Sequence, residues 1–358
     1  MASSEPVELA GIDVLDPSHR QAVELALTRL LETEPAKQAF AEIVDGLPTR
    51  ESYAGFHWPQ DGHPTNHHHE LCPGVLEKAR EFRSTFSATS LSFSLPLLRA
   101  FSEATTDSKA FHVRLLELLA VSCHQIAVHL FRLDGTHHPR DYEAWRDEPH
   151  ERTADASRYP TPFCHSSYLS SEQYPDGTAD ICGYWAEAKI FGGVVLFNRN
   201  EAKTEWPDIY LHGGLLKGPY SLFPPTTEQL DKVTEYLLGE KDSLVEMECP
   251  FPIRATKQNR WRWFHWDAAH NHIFRDKYER YISPTRPTVS YRSTMDWPEI
   301  ADELYLADAL HENLEGKPVD KDEVRAAMER LREITPSSPC WSDGGVEARY
   351  PWIKDILQ

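Results

Sequence analysis

The sequence predicts an α+β fold, mainly helical, with a small antiparallel β-meander at about residues 181–223 packed against helices. Three observations predict it. Helix start and stop signals recur between residues 16 and 133 and again after residue 226. A run rich in β-branched and aromatic residues, punctuated by Gly192-Gly193 and Gly213-Gly214, lies between these helical parts. The order of helices, compact meander, then helices is that of an α+β chain, not of alternating βαβ units.

The first helical pair is "DPSHRQAVELALTRLLETEPAKQAFAEIVDGL", read as helices at roughly 18–32 and 36–45. Asp16-Pro17 starts the first, Pro35 forces a break, and Gly46 ends the second. Pro73 opens the next helix at a position where its missing N–H costs nothing, and Pro96 opens another. "SKAFHVRLLELLAVSCHQIAVHLFRL", about 108–133, is apolar around most of its circumference and reads as a buried central helix. Residues 134–163 are polar and proline-bearing, a long loop. "DICGYWAEAKIFGGVVLFNRN", "DIYLHGG" and "GPYSLF" read as the strands. Thr226 with Gln229, and Asp320 with Glu323, have capping-box spacing before two later helices. Pro298 and Gly316 bracket another, and the tail reads as irregular. The chain is treated as one domain, 1–358: a helical half 1–133, the loop 134–163, the meander and a helix 164–240, and a basic aromatic segment with C-terminal helices 250–358.

Composition excludes some functions. The chain has 358 residues, 40% of them hydrophobic and 26% charged, which is globular. Its formal net charge of −19 argues against nucleic acid or an anionic membrane as partner. The start "MASSEPVELAGIDVLDP" has no basic and apolar leader pattern, and no apolar run is read as spanning a bilayer, so a cytoplasmic location is expected. The six cysteines are dispersed without a C-x-x-C pair, as for reduced thiols.

Candidate chemistry centres on histidine, of which there are 18. "DGHPTNHHHELCPG" sets His67, His68, His69 and Glu70 in a row. Imidazole and carboxylate are ligands of Zn, Fe, Mn and Ni. Adjacent residues in an extended segment face opposite ways, so two of the histidines, or one with Glu70, share a side. Glu117 and His124, seven residues apart on the long helix, supply a buried carboxylate–imidazole pair to complete a site. Glu187 of the Gly-Tyr-Trp-Ala-Glu run, read on a strand with Lys189, and His212 beside Gly213-Gly214 form a candidate catalytic group. His265-x-Asp267 has facial-triad spacing without the strands a jelly roll needs. Residues 250–295 carry a charge of +6 and either pack on acidic elements or receive an anion. Cys164 has His165 next to it in sequence, and neighbours on a chain rarely face each other.

The runs "HHHELCPGVLEKAREFR" with "SLSFSLPLLRAF", and "GYWAEAKIFGGVVLFNR", resemble an uncharacterised family of filamentous-fungal (ascomycete) proteins. In that family a His-run and Glu precede a helix, and a Gly-Tyr-Trp-Ala-Glu strand leads to a Gly-Gly turn. The resemblance covers roughly residues 57–240. It implies an ascomycete origin and is compatible with an intracellular protein, and no activity carries over.

The favoured reading is a small-molecule enzyme that depends on a divalent transition metal, Zn or Fe, held by His and Glu ligands, with redox and hydrolytic chemistry both open. One alternative is a non-catalytic binding or scaffold protein with an acidic surface. Another is a metal-independent isomerase or cyclase with an aromatic pocket.

Overall fold

The computed structural model describes residues 8–148, 159–200, 206–240, 247–276, 279–287 and 293–357. The fold is α+β and mainly helical, with two small antiparallel sheets. The residues group into two compact units, each discontinuous in sequence: 1–195 with 227–253 and 276–281, and 196–226 with 254–275 and 282–358.

The first unit holds α1 (Pro17–Leu31), α2 (Glu34–Asp45), α3 (Arg50–Phe56), α4 (Val75–Thr85), α5 (Leu95–Ser102), α6 (Lys109–Phe131), α7 (Asp141–Asp147), α8 (Thr178–Phe191) and α9 (Thr227–Leu238). A two-stranded ribbon joins β1 (Leu9–Ala10) to β2 (Phe93–Ser94). The start signals act as read. The Asp16 carboxylate accepts the N–H groups of Ser18 and His19, and Ser108 caps α6 through the Phe111 N–H. Pro96 sits in the first turn of α5, whereas α4 begins at Val75, two residues beyond Pro73. The polar stretch read as a loop contains α7, formed by Asp141–Asp147.

α6 is the centre of this unit, and its most extensive partner is α8. By length and composition alone α6 is apolar enough to cross a membrane, but 72% of its most apolar window is buried within the fold. It is thus the core helix expected from its sequence.

α8 corrects the strand expected there. Thr178–Phe191 is helical, so the Gly-Tyr-Trp-Ala-Glu run lies on a helix and the meander begins only at Val194. The physical reason is burial all round. Almost every residue from Ala179 to Phe191 is buried, so no amphipathic stripe marks the helix, and Tyr184, Trp185 and Ile190 mimic a strand. Gly183 permits the close crossing with α6, since a Cβ there would lie 2.6 Å from the His124 ring. Gly183→Ala is therefore expected to cost about 1–3 kcal/mol in urea unfolding through overpacking. A loss below about 0.5 kcal/mol would show that the crossing relaxes freely.

The second unit holds β3 (Val194–Asn198), whose first residues belong to the first unit, then β4 (Ile209–His212), β5 (Leu222–Phe223) and β6 (Ile273–Phe274), in the order β5-β4-β3-β6. β4–β5 and β3–β6 pair antiparallel. Its helices are α10 (His265–His270), α11 (Ile300–Leu314), α12 (Lys321–Arg330), α13 (Gly345–Arg349) and α14 (Ile353–Leu357). The last two replace the irregular tail, because Val346, Ile353 and Ile356 pack with Leu306, Val324 and Leu331 in one apolar cluster. Asp320 caps α12 through the N–H groups of Asp322 and Glu323. The basic segment meets acids here: Arg260 pairs with Asp302 at 2.8 Å and Arg286 with Asp267 at 2.8 Å. Arg262 is buried, donates to the Asn259, Met295 and Thr256 carbonyls, and is pushed down to about 10 by that burial.

Candidate metal centre

The site grows from the C-terminal end of α2. Asp45 is its last residue, and Gly46 turns the chain at φ +95°. A Cβ on Gly46 would lie 2.7 Å from Thr136, so glycine lets the 136–138 segment close onto the helix end. The His137 N–H then bonds the Asp45 carbonyl at 3.0 Å, which brings His138 beside the Asp45 side chain.

The His-rich loop arrives from the other side. Pro64–His67 form a 3-10 turn, and His68 follows it. The His68 carbonyl accepts the Arg50 N–H at 2.7 Å at the start of α3. Its Nδ1 donates to the Pro48 carbonyl (3.1 Å), which turns Nε2 toward Asp45 Oδ2 at 3.1 Å. Four residues on, the Cys72 N–H donates to the same Oδ2 at 2.9 Å, and Cys72 Sγ lies 3.3 Å from His138 Nε2. His138 Nδ1 donates to the Asp141 carboxylate at 2.9 Å.

Asp45, His68, Cys72 and His138 thus each offer one ligand atom, and all four lie within 4.8 Å of one another. Asp45 is fully buried, and its Oδ1 makes no hydrogen bond and faces His138 Nε2 at 3.8 Å. The His68 Nε2–Asp45 Oδ2 and Cys72 Sγ–His138 Nε2 spacings, 3.1 and 3.3 Å, are close to the edge of about 3.4 Å expected of a tetrahedron with ~2.1 Å metal–ligand bonds. Both histidines already bind an acceptor through Nδ1, the outer contact that fixes the tautomer of a metal-bound imidazole. Burial, with the hydrogen bond and charge of Asp45 behind it, pushes the Cys72 thiol up. A bound cation would draw that proton off at neutral pH. The four residues could hold a metal ion.

His68 and His138 also form part of the wall of a cavity of about 900 Å³, along with Asp61, His67, Asp141, Trp145 and Glu148. A ligand in that cavity would stand beside His68 and His138 of this group.

Of the residues singled out in the sequence, His68 alone enters the cluster. His67 is exposed on the cavity wall, and His69 and Glu70 are exposed and make no part of it. Glu117 pairs with Arg114 at 2.7 Å. His124 is committed within the core: Nδ1 meets Glu187 and Nε2 meets Asp180, each at 2.8 Å. Glu187 is fully buried and reads as a partner of His124, while Lys189 donates to Ser52 Oγ at 2.7 Å. His212 is buried at the end of β4, with its ring stacked 5.8 Å from His265. His265 begins a helix rather than a strand, and Asp267 is occupied by Arg286 and Ser337, so the facial-triad spacing yields no open carboxylate. Cys164 is fully buried and its thiol is pushed far up by burial, against nucleophilic use. All six cysteines are free thiols.

Sequence reasoning missed Asp45, Cys72 and His138. Three signals stood in the chain: an acid directly before a helix-ending glycine, a cysteine four residues after His68, and a second histidine pair in a polar loop.

Fold and cluster together describe a mainly helical α+β protein with an Asp/His/Cys group that could hold a metal ion. The chain matches no known family model, no curated protein and no solved structure.

Proposed function

We propose that this protein is a zinc protein that uses the ion at Asp45, His68, Cys72 and His138 to act on a small molecule in the adjoining cavity. The observation that carries the reading is the convergence of four ligand atoms around a buried, unbonded carboxylate oxygen. Two imidazoles, one thiolate and one carboxylate form a borderline donor set that favours zinc over magnesium or calcium. Zinc is redox-inert and a Lewis acid, which points to polarisation of a substrate oxygen or hydrolysis rather than electron transfer. His138 is partly exposed and lines the cavity, so exchange with a substrate atom would begin on its side.

The test is elemental analysis of untagged protein purified without chelators, then reconstitution with cobalt. One ion per chain is expected, with a thiolate-to-cobalt charge-transfer band that disappears in Cys72→Ser. His68→Ala is expected to lose the metal, whereas a His67→Ala/His69→Ala variant keeps it. Asp141→Ala, which removes the acceptor of His138 Nδ1, is expected to weaken metal affinity roughly 10–100-fold. A wild-type protein that neither carries nor takes up a transition metal would refute the reading.

A second reading has its own observation. Cys72 Sγ, His138 and Asp141 also form a thiol–imidazole–carboxylate chain, at 3.3 and 2.9 Å, as a nucleophile and its base would. It ranks lower because burial and Asp45 raise the Cys72 thiol, opposite to what an activated nucleophile requires. Rapid alkylation of Cys72 at neutral pH in metal-free protein would reverse the ranking.

A further inference from the structure

We infer that Ser283 is a phosphorylation site for a proline-directed protein kinase, and that its phosphate takes the Arg286 guanidinium from Asp267. The sequence holds four Ser/Thr-Pro pairs, at Thr161, Ser283, Thr335 and Ser338. Kinases of this class read the proline after the acceptor. Its ring fills an apolar pocket, and it brings no N–H that the pocket would leave unpaired. Many also take a base three residues after the acceptor, by ion pairing. Only Ser283 has one: "SPTR" runs from Ser283 to Arg286, whereas Cys164, Ser338 and Trp341 stand at that place after the other three.

Burial makes the same choice. Thr161, Thr335 and Ser338 are all buried, and Thr335 Oγ1 donates to the Arg262 carbonyl and Ser338 Oγ to Glu299. A kinase needs the acceptor hydroxyl and its flanking residues in an open, extended chain. Ser283 is partly exposed, and residues 284–287 are exposed and lie in neither helix nor strand. Pro284 keeps Ser283 out of the helical region. Ser283 Oγ accepts the Thr285 N–H at 3.3 Å, a long bond that is readily exchanged. In the transfer, the Ser283 hydroxyl oxygen attacks the γ-phosphorus of ATP. A new P–O bond forms, and the bond from the γ-phosphorus to the bridging oxygen breaks. ADP leaves with that electron pair, and the hydroxyl proton passes to the kinase's catalytic carboxylate. The consequence is local. Arg286 grips Asp267 through two bonds, Nε to Oδ1 at 2.9 Å and Nη2 to Oδ2 at 2.8 Å. Its side chain is half-exposed, so water already weakens that pair. A phosphate three residues away brings more charge and more acceptor oxygens than a carboxylate, and it wins the guanidinium. Asp267 keeps the Ser337 hydroxyl at 2.7 Å.

The experiment is incubation of the native full-length protein with a cyclin-dependent kinase, magnesium and ATP, followed by intact mass measurement and peptide mapping. One phosphate is expected, on Ser283, with Thr161, Thr335 and Ser338 unmodified. Ser283→Ala is expected to take up none. Pro284→Ala and Arg286→Ala are each expected to lower kcat/KM about tenfold or more, whereas Arg286→Lys, which keeps a base, loses less. The phosphate is then titrated by phosphorus NMR. Beside Arg286 its second proton should leave below the ordinary value of about 6, and in Arg286→Gln protein phosphorylated to completion it should leave near that value. No phosphate on Ser283 of the native chain overturns the site, as do equal rates for wild type, Pro284→Ala and Arg286→Ala. Identical titration with and without Arg286 overturns the exchange with Asp267.

Discussion

Replacing His124 with leucine is expected to remove about 3–5 kcal/mol of stability, among the largest losses any single substitution in the first unit would cause. His124 stands on α6 with a carboxylate on each ring nitrogen, Glu187 on Nδ1 and Asp180 on Nε2, both 2.8 Å away and both from α8. Each nitrogen facing a carboxylate donates a proton, so the ring is an imidazolium held between two anions. Burial alone would push the Asp180 carboxyl up, but the hydrogen bond and charge of His124 outweigh it and leave that group below the ordinary range. Leucine keeps the volume and removes the cation, so the fully buried Glu187 loses its bond to the imidazolium. That loss is far larger than the value of a surface pair, because the remaining charge stays desolvated. The measurement is urea unfolding of wild type, His124→Leu and His124→Leu/Glu187→Gln. The double variant should recover part of the loss, since the amide carries no charge. A single-variant loss below about 1 kcal/mol would mean that water reaches Glu187 as the helices part.

This pair of helices shows what was readable in the chain and what was not. α6 was legible because its signal is local: a serine cap, 23 residues of helical character and apolar side chains around the whole circumference. α8 was not. Period separates a helix from a strand only when one face is wet, and α8 has no wet face. The later strands were legible from glycine punctuation and β-branched content, and Val194–Asn198, Ile209–His212 and Leu222–Phe223 fall within the expected meander.

The site divides in the same way. A histidine run announces ligand chemistry, but neighbours on a chain point in different directions, and only His68 turns inward. Its partners come from the end of α2, from four residues further along the loop, and from a segment 70 residues away that closes onto Gly46. Convergence of that kind belongs to tertiary structure. Seven-residue spacing shows that Glu117 and His124 share a helix face, not which neighbour each one meets, and the structure sets Arg114 against Glu117 and Glu187 against His124.

Acidification is the other large effect, and its sign follows from two histidines outside the Asp45, His68, Cys72 and His138 group. His57 is buried, with Nε2 donating to the Cys164 carbonyl at 2.8 Å; burial pushes it down to about 4, and that hydrogen bond only partly resists. His63 is likewise held down to about 4 by burial, with His57 nearby adding to the effect. It stacks on Tyr53 and meets Trp145 edge-on, with its Nδ1 accepting the Thr65 N–H. An unfolded histidine takes up its proton near pH 6.5. Above that value both states are neutral and neither residue makes stability depend on pH. Between about 6.5 and about 4 the unfolded chain binds protons that the folded chain refuses, so stability falls as the pH falls. His57 alone accounts for up to roughly 3 kcal/mol across that window, and His63 acts in the same direction. Urea unfolding at about pH 7 and about pH 5 should show the loss, and His57→Asn, which keeps a donor for the Cys164 carbonyl but does not titrate, should flatten it. The deciding quantity is the difference between variant and wild type measured under chelation, so that no bound ion contributes. Parallel profiles for the two would mean that His57 is protonated in the folded protein, and that the aromatic cluster around it admits water.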